Sequence, residues 1–445
     1  MFLKSVIVIG GGLAGLAAGV ALAESGWRVR LFEQRPFLGG RATSYVLPDG
    51  EHVDNCQHVT LGCCTNLEDF YRRIGAVGKI KFFDRLLFLD PQGRRGVMQA
   101  GFLPAPFHLT GSFAAFGLLN LLDKLSIARA MLDILQTQGN PADLQEKGGI
   151  SMLEWLRRRG QTKRAVERFW RVVLVSALDE ELDRTDARFG VDVFWKAFLS
   201  SSTGYRMIRF DEGREESADA YILAVPHTAL AELLPQSVKQ SDPSLANLDK
   251  IKVAPITGVH FWFDRPVMKE PFVTLLDTTT QWIFNKTALY GRDSNGTANT
   301  VPAGQYLQLV ISASYDLLQK PRQEIIDLCL GEVRKALPAA RNAELLKATV
   351  IKEAAATFSP EPGVNRWRPR QQTSVPRLFL AGDWTETGWP ATMEGAVRSG
   401  YLAAEALLRS EATPREFLQP DLPPDGFIAM WLGSNPSLRF PGSVS

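Results

Sequence analysis

The chain has 445 residues, 45% hydrophobic and 22% charged, with 50 basic and 48 acidic side chains. That length is too great for one simple core and implies two to three domains. A net charge of +2 argues against a nucleic-acid partner. Four cysteines (Cys56, Cys63, Cys64, Cys329) without a Cys-x-x-Cys pair argue against a disulfide framework and against a bound metal.

Residues 5–9 (SVIVI) are β-branched and bounded by glycine, which predicts a buried parallel strand. Residues 13–24 (LAGLAAGVALAE) predict a helix, and residues 27–33 (WRVRLFE) a second strand, completing a βαβ start. The apolar run 6–23 follows Lys4 but contains five glycines, so it reads as this unit and not as a signal peptide. No uninterrupted apolar span of about 18 residues predicts a transmembrane helix. Residues 96–122 contain no Asp, Glu, Lys or Arg. Helix is expected over 118–136, much of 150–198, and 322–337, where Pro338 stops it. Strands are expected at 218–225, through 251–315, and at 378–381; a closing helix covers 391–409 and a Pro-rich tail follows from residue 414.

Gly10-x-Gly12-x-x-Gly15 sits between the first strand and the helix. The first glycine permits the turn, the second lets backbone approach a pyrophosphate, and the third lets helix and strand pack closely. The helix start, with Leu13 and Ala14, offers free N–H groups and a partial positive charge. Glu33, beside Gln34, ends the second strand, where an acid accepts from ribose hydroxyls. Gly39-Gly40-Arg41 follows with flexible backbone and a fork of donors for phosphate. Near the other end, Ala381-Gly382-Asp383-Trp384 precedes Ala391-Thr392-Met393-Glu394. Asp383 reads as a bond to a polyol chain or as a helix cap.

These three motifs resemble the superfamily of flavin-containing amine oxidases and phytoene desaturases. The resemblance implies an α/β fold, with a Rossmann-like FAD-binding domain and an interleaved substrate domain of mixed sheet and helices. It implies FAD as cofactor: Gly10, Gly12, Leu13, Ala14, Gly15, Glu33 and Gln34 at the ADP half, and Gly39, Gly40 and Arg41 at the pyrophosphate. Gly382 and Asp383 fall at the ribityl chain or the pyrophosphate, and Thr392 and Met393 under the ring system. The segments run 1–95 (FAD domain), 96–210 (helical, facing substrate or membrane), 211–250 (FAD domain), 251–350 (substrate sheet and helix), 351–412 (FAD domain) and 413–445 (tail).

Asp54-Asn55-Cys56-Gln57-His58, Gly62-Cys63-Cys64-Thr65-Asn66 and Ser201-Ser202-Thr203-Gly204-Tyr205 resemble one branch, the hydroxysqualene dehydroxylase family. That branch implies reduction of a long-chain isoprenoid alcohol to squalene with loss of water, in hopanoid and squalene biosynthesis. It implies a cytoplasmic protein with peripheral contact on the inner membrane face. His58 is the candidate acid with Asp54 to orient it; a histidine hydrogen-bonded beside the flavin is the other reading. The cysteines read as packing residues. Residues 96–122 read as core, as an oily tunnel lining, or as a membrane surface. The stretch 205–213 is shorter than in the proteins resembled, where it supplies a strand near adenine. A carotenoid-type desaturase, an amine oxidase and a truncated non-catalytic relative are the alternatives.

Overall fold

A computed structural model describes residues 4–55, 57–80, 83–145, 149–199, 219–234, 236–290 and 304–423. Cys56, the 201–205 motif and the shortened 205–213 stretch lie outside the described residues. The strands are, in chain order, β1 Ser5–Ile9, β2 Arg28–Phe32, β3 Ser44–Val46, β4 His52–Asp54, β5 Arg85–Leu89, β6 Arg95–Gln99 and β7 Ala220–Leu223. Then come β8 Val253–Phe263, β9 Phe272–Leu275, β10 Trp282–Asn285, β11 Gln305–Ser312, β12 Leu345–Phe358 and β13 Leu378–Leu380.

Two principal sheets organise the molecule. The first has order β13-β7-β1-β2 and is parallel throughout. Parallel strands are covered on both faces, which is why β1 is a run of Val and Ile rather than an alternating pattern. The helix Leu13–Glu24 lies against it, apolar on all sides because it is sandwiched. Its outer neighbour is the C-terminal helix Met393–Ser410. The two backbones approach so closely that a Cβ on Gly400 would lie 2.3 Å from the Ala14 carbonyl oxygen. Residues from opposite ends of the sequence therefore share one core.

The second sheet has order β12-β8-β11-β10-β9-β5-β6, antiparallel except for β5 beside β9. Alternation along β8 sorts its faces. Val259, Phe261 and Phe263 pack on the helix Arg322–Ala336 through Ile325, Cys329 and Val333. Trp262, with Tyr306 of β11, joins Val53 in a small cluster on the side of the β3–β4 hairpin. A third layer is helical: Leu121–Gln136, Met152–Arg158, Arg171–Leu178 and Ala187–Phe194 close around Trp155 and Trp170. Asn120 and Asp123 cap the first of these helices reciprocally.

The predicted strands and helices stand where the sequence puts them, with ends shifted by a few residues. The sheets do not respect the segment bounds drawn at 95/96 and 350/351. β5 lies inside 1–95 and most of β12 inside 351–412, yet both belong to the second sheet.

Candidate functional site: a cradle closed by both ends of the chain

Each glycine of the first turn has its own physical reason. Gly10 has φ +110, and a Cβ there would meet the Ala224 carbonyl oxygen at 2.4 Å. At Gly15 a Cβ would lie 2.0 Å from the Gly10 carbonyl oxygen. Both are required by the protein itself. Gly12 is different: φ is −74, open to any residue, and an added Cβ would find only the Gly40 Cα, 4.0 Å away. It begins the Leu13–Glu24 helix without a side-chain cap, so the helix presents bare backbone to open space. The protein does not need glycine at 12, whereas a bound pyrophosphate does.

Glu33 follows β2 and accepts from the Gly11 N–H (2.8 Å) and the Arg35 N–H (3.0 Å), while Gln34 is exposed beside it. Gly39 donates to the Gly11 carbonyl at 2.9 Å, and Gly12 and Gly39 form a parallel bridge. The second glycine motif thus lies directly on the first. Arg41 then reaches across the molecule. Its guanidinium bonds the Asp383 carboxylate at 2.7 Å and the Ala356 carbonyl at 2.5 Å. Asp383 follows Gly382, whose φ is +148. It caps no helix, since Thr392 does that by accepting from the Gly395 N–H at 3.0 Å.

A small pocket of about 20 Å³ lies at this junction. Leu13, Ala42, Thr43, Ser44, Asp54, His58, Tyr71 and Met393 line it. Four separate sequence motifs meet on its wall. Uncapped backbone and open space at Gly12 fit the pyrophosphate of a dinucleotide. Asp54 was expected to orient His58. Its carboxylate accepts from Lys286 Nζ at 2.5 Å, Ser44 Oγ at 2.7 Å and the Tyr290 hydroxyl at 3.2 Å.

Lys286, Arg368 and Glu394 were not foreseen. Lys286 is buried, also bonds Gln57 Oε1 at 2.5 Å, and lies over the Tyr290 ring. Burial and the Lys286 ammonium push the nearby His260 imidazole down to about 3. Arg368 is buried, which pushes its guanidinium down to about 10. It donates to the carbonyls of Asp383, Thr385 and Trp389 and so fixes the loop carrying Asp383. Glu394 accepts from the N–H groups of Asn66 and Leu67 (3.2 and 2.7 Å), and burial pushes its carboxyl up. It ties the C-terminal helix to the helix Thr65–Arg73, which explains the Thr65-Asn66 motif structurally. Cys63, Cys64 and Cys329 are buried. A hydrogen bond with Cys63 and burial push the Cys64 thiol up, against a nucleophilic role.

Comparison with known proteins agrees with this architecture. A family profile described as "Flavin containing amine oxidoreductase" matches residues 199–408, and one described as "NAD(P)-binding Rossmann-like domain" matches residues 8–74. A zeta-carotene desaturase of Synechocystis sp. is 25% identical over 479 residues, covering 92% of this chain and 98% of that protein. A 15-cis-phytoene desaturase of Narcissus pseudonarcissus is 26% identical over 463 residues, covering 91% of this chain and 79% of that protein. A redesigned putrescine oxidase shares the fold, with TM-score 0.68, 16% identity, and coverage of 92% of this chain and 99% of that one. On this evidence the chain is an FAD-dependent oxidoreductase, similar in its profile matches to flavin-containing amine oxidoreductases and over most of its length to carotenoid desaturases.

Proposed function

We propose that this protein reduces hydroxysqualene to squalene with loss of water, using FAD held in the cradle. The observation that carries the reading is the pocket where Leu13, Ala42 and Met393 meet Asp54 and His58. Asp54 and His58, from the 54–58 segment that resembles the dehydroxylase branch, line that pocket with Leu13 and Met393, which supports this reading. Gly10, Gly12, Leu13, Ala14, Gly15, Glu33 and Gln34 hold the adenosine half. Gly39, Gly40 and Arg41 serve the pyrophosphate, Gly382 and Asp383 the ribityl chain, and Thr392 and Met393 the ring. Bound FAD supplies the two-electron chemistry. The chain's own residues bury an isoprenoid, exclude water and provide the polar wall of Asp54 and His58.

The likeness to carotenoid desaturases supports a second reading, in which the protein oxidises a similar polyene. Anaerobic incubation of the reduced, FAD-loaded protein with hydroxysqualene separates the two. Squalene is expected; no squalene here, with a new double bond formed in phytoene by the oxidised protein, would establish the second reading in its place.

An oily substrate also calls for a lipid-facing entrance. The segment without charge, 96–122, is largely surface: Phe102 is 97% exposed, Leu121 71% and Leu122 70%. Leu125, Lys124 and exposed Arg129 continue it along the Leu121–Gln136 helix. Arg157 and Arg158 are exposed nearby, while Arg159 bonds Asp133 and Asp143. Apolar tips flanked by cations match an anionic bilayer surface. No helix among the described residues is long and apolar enough to cross a membrane. Phe102→Ser with Leu122→Ser should reduce co-sedimentation with anionic phospholipid vesicles at least tenfold, at unchanged FAD content; undiminished sedimentation would place the lipid contact elsewhere.

A further inference from the structure

After the C-terminal helix the chain runs without helix or strand as far as residue 423, yet it is no loose end. Phe417 is buried in the core of the first sheet beside Tyr401, with the Arg73 guanidinium 5.3 Å over its ring. Side chains of two helices take up the backbone groups that an extended segment leaves open. Glu405 of the Met393–Ser410 helix accepts from the N–H groups of Phe417 and Leu418, both at 2.8 Å. Asn66 of the Thr65–Arg73 helix accepts from the Gln419 N–H at 2.7 Å and donates to the Gln419 carbonyl at 3.0 Å. The Thr65 hydroxyl donates to the Pro420 carbonyl at 2.9 Å. This strap delivers Asp421 to three donors: the Trp389 indole at 3.1 Å, Arg398 at 3.0 Å and Lys196 Nζ at 3.5 Å. All three belong to, or grip, the same loop. Arg398 also donates to the Thr387 carbonyl and Lys196 to the Gly388 carbonyl, each at 3.3 Å.

That loop leads from Asp383 to Thr392 and Met393, and Met393 lines the pocket. It has no helix or strand of its own to hold it. Arg368 fixes it from the interior through the Trp389 carbonyl at 2.8 Å, and Asp421 fixes it from the tail through the indole of the same residue. We propose that residues 415–422 are a clasp on the flavin half of the cradle, with Asp421 as its positioning residue. Seated, the strap fixes Trp389 and so the presentation of Thr392 and Met393 to the ring. Lifted, it frees the loop and lets FAD exchange. The assignment rests on the proposed placement of the flavin ring at Thr392 and Met393. Phe417 and the bonds to Glu405 and Asn66 anchor the strap on the two helices, so Asp421 can be altered without unseating the rest.

The test follows FAD release from the full-length, FAD-loaded protein, read as the rise in flavin fluorescence on dilution, in wild type, Asp421→Ala and Asp421→Asn. The visible circular dichroism of the bound flavin is recorded beside it, with Met393→Ala as a marker of the ring's position. Asp421→Ala removes the acceptor of an indole and a guanidinium and should release FAD about tenfold faster, with an altered flavin dichroism. Asp421→Asn keeps an acceptor oxygen and should stay within about threefold of wild type. The melting temperature of the FAD-free protein should be the same in all three, which separates a clasp from a general loss of stability. If Met393→Ala changes the flavin dichroism but Asp421→Ala releases FAD at the wild-type rate, or Asp421→Asn fails to restore that rate, or the FAD-free melting temperature falls with it, the clasp is overturned and the ring placement stands. If Met393→Ala leaves the dichroism unchanged, the placement falls and takes the clasp with it.

Discussion

Gly12→Val is expected to leave the protein folded and empty of flavin. The backbone at 12 is in a region valine adopts readily, and the space beside it is open to the Gly40 Cα. Nothing in the protein therefore resists the new side chain. A pyrophosphate drawn against that backbone does: overpacking costs up to about 3 kcal/mol, which corresponds to about 100-fold in affinity. Gly15→Val should behave in the opposite manner. Its Cβ would stand 2.0 Å from the Gly10 carbonyl oxygen and 3.1 Å from Val8 Cγ1, so the βαβ unit cannot close. Flavin absorbance per mole of purified protein, read beside a circular-dichroism melt, distinguishes the outcomes. Full FAD content in Gly12→Val would mean that the dinucleotide lies elsewhere.

That contrast shows what could be read from sequence. Gly10, Gly12 and Gly15 act within one strand–turn–helix unit, so their spacing carries their meaning. The same holds for the apolar strand that runs into Gly382 and Asp383. The bond from Arg41 to Asp383 spans 342 positions, yet both residues were marked locally, by glycines before each. Lys286 had no such mark. A lysine after a strand ordinarily points to water, and only the fold reveals that it enters the interior to meet Asp54. Arg368 is silent for the same reason. Glu394 sat inside a recognised motif, but its partners, the Asn66 amide side chain and the backbone N–H groups of Asn66 and Leu67, lie more than 300 positions away, where no local pattern joins them. The place of β5 and β6 in the second sheet was equally hidden, because pairing with the distant β9 leaves no periodic trace.

Lys286→Met should be among the most damaging single substitutions at the cavity wall. It leaves the Asp54 carboxylate enclosed, with Ser44 and Tyr290 but without its cation. Removing one member of a buried ion pair costs about 3–5 kcal/mol. Asp54→Asn should cost a similar amount by stranding the ammonium beside Gln57. The double variant removes both charges, and its loss should fall well short of the sum of the singles, because neither charge remains to be solvated. Urea unfolding of the four proteins, with unfolding slopes compared, measures this coupling. Additive losses would show that the two groups do not act as a pair. A real coupling has a chemical consequence as well. An ammonium 2.5 Å from Asp54 makes that carboxylate one half of a buried ion pair, which shapes and charges the wall beside His58.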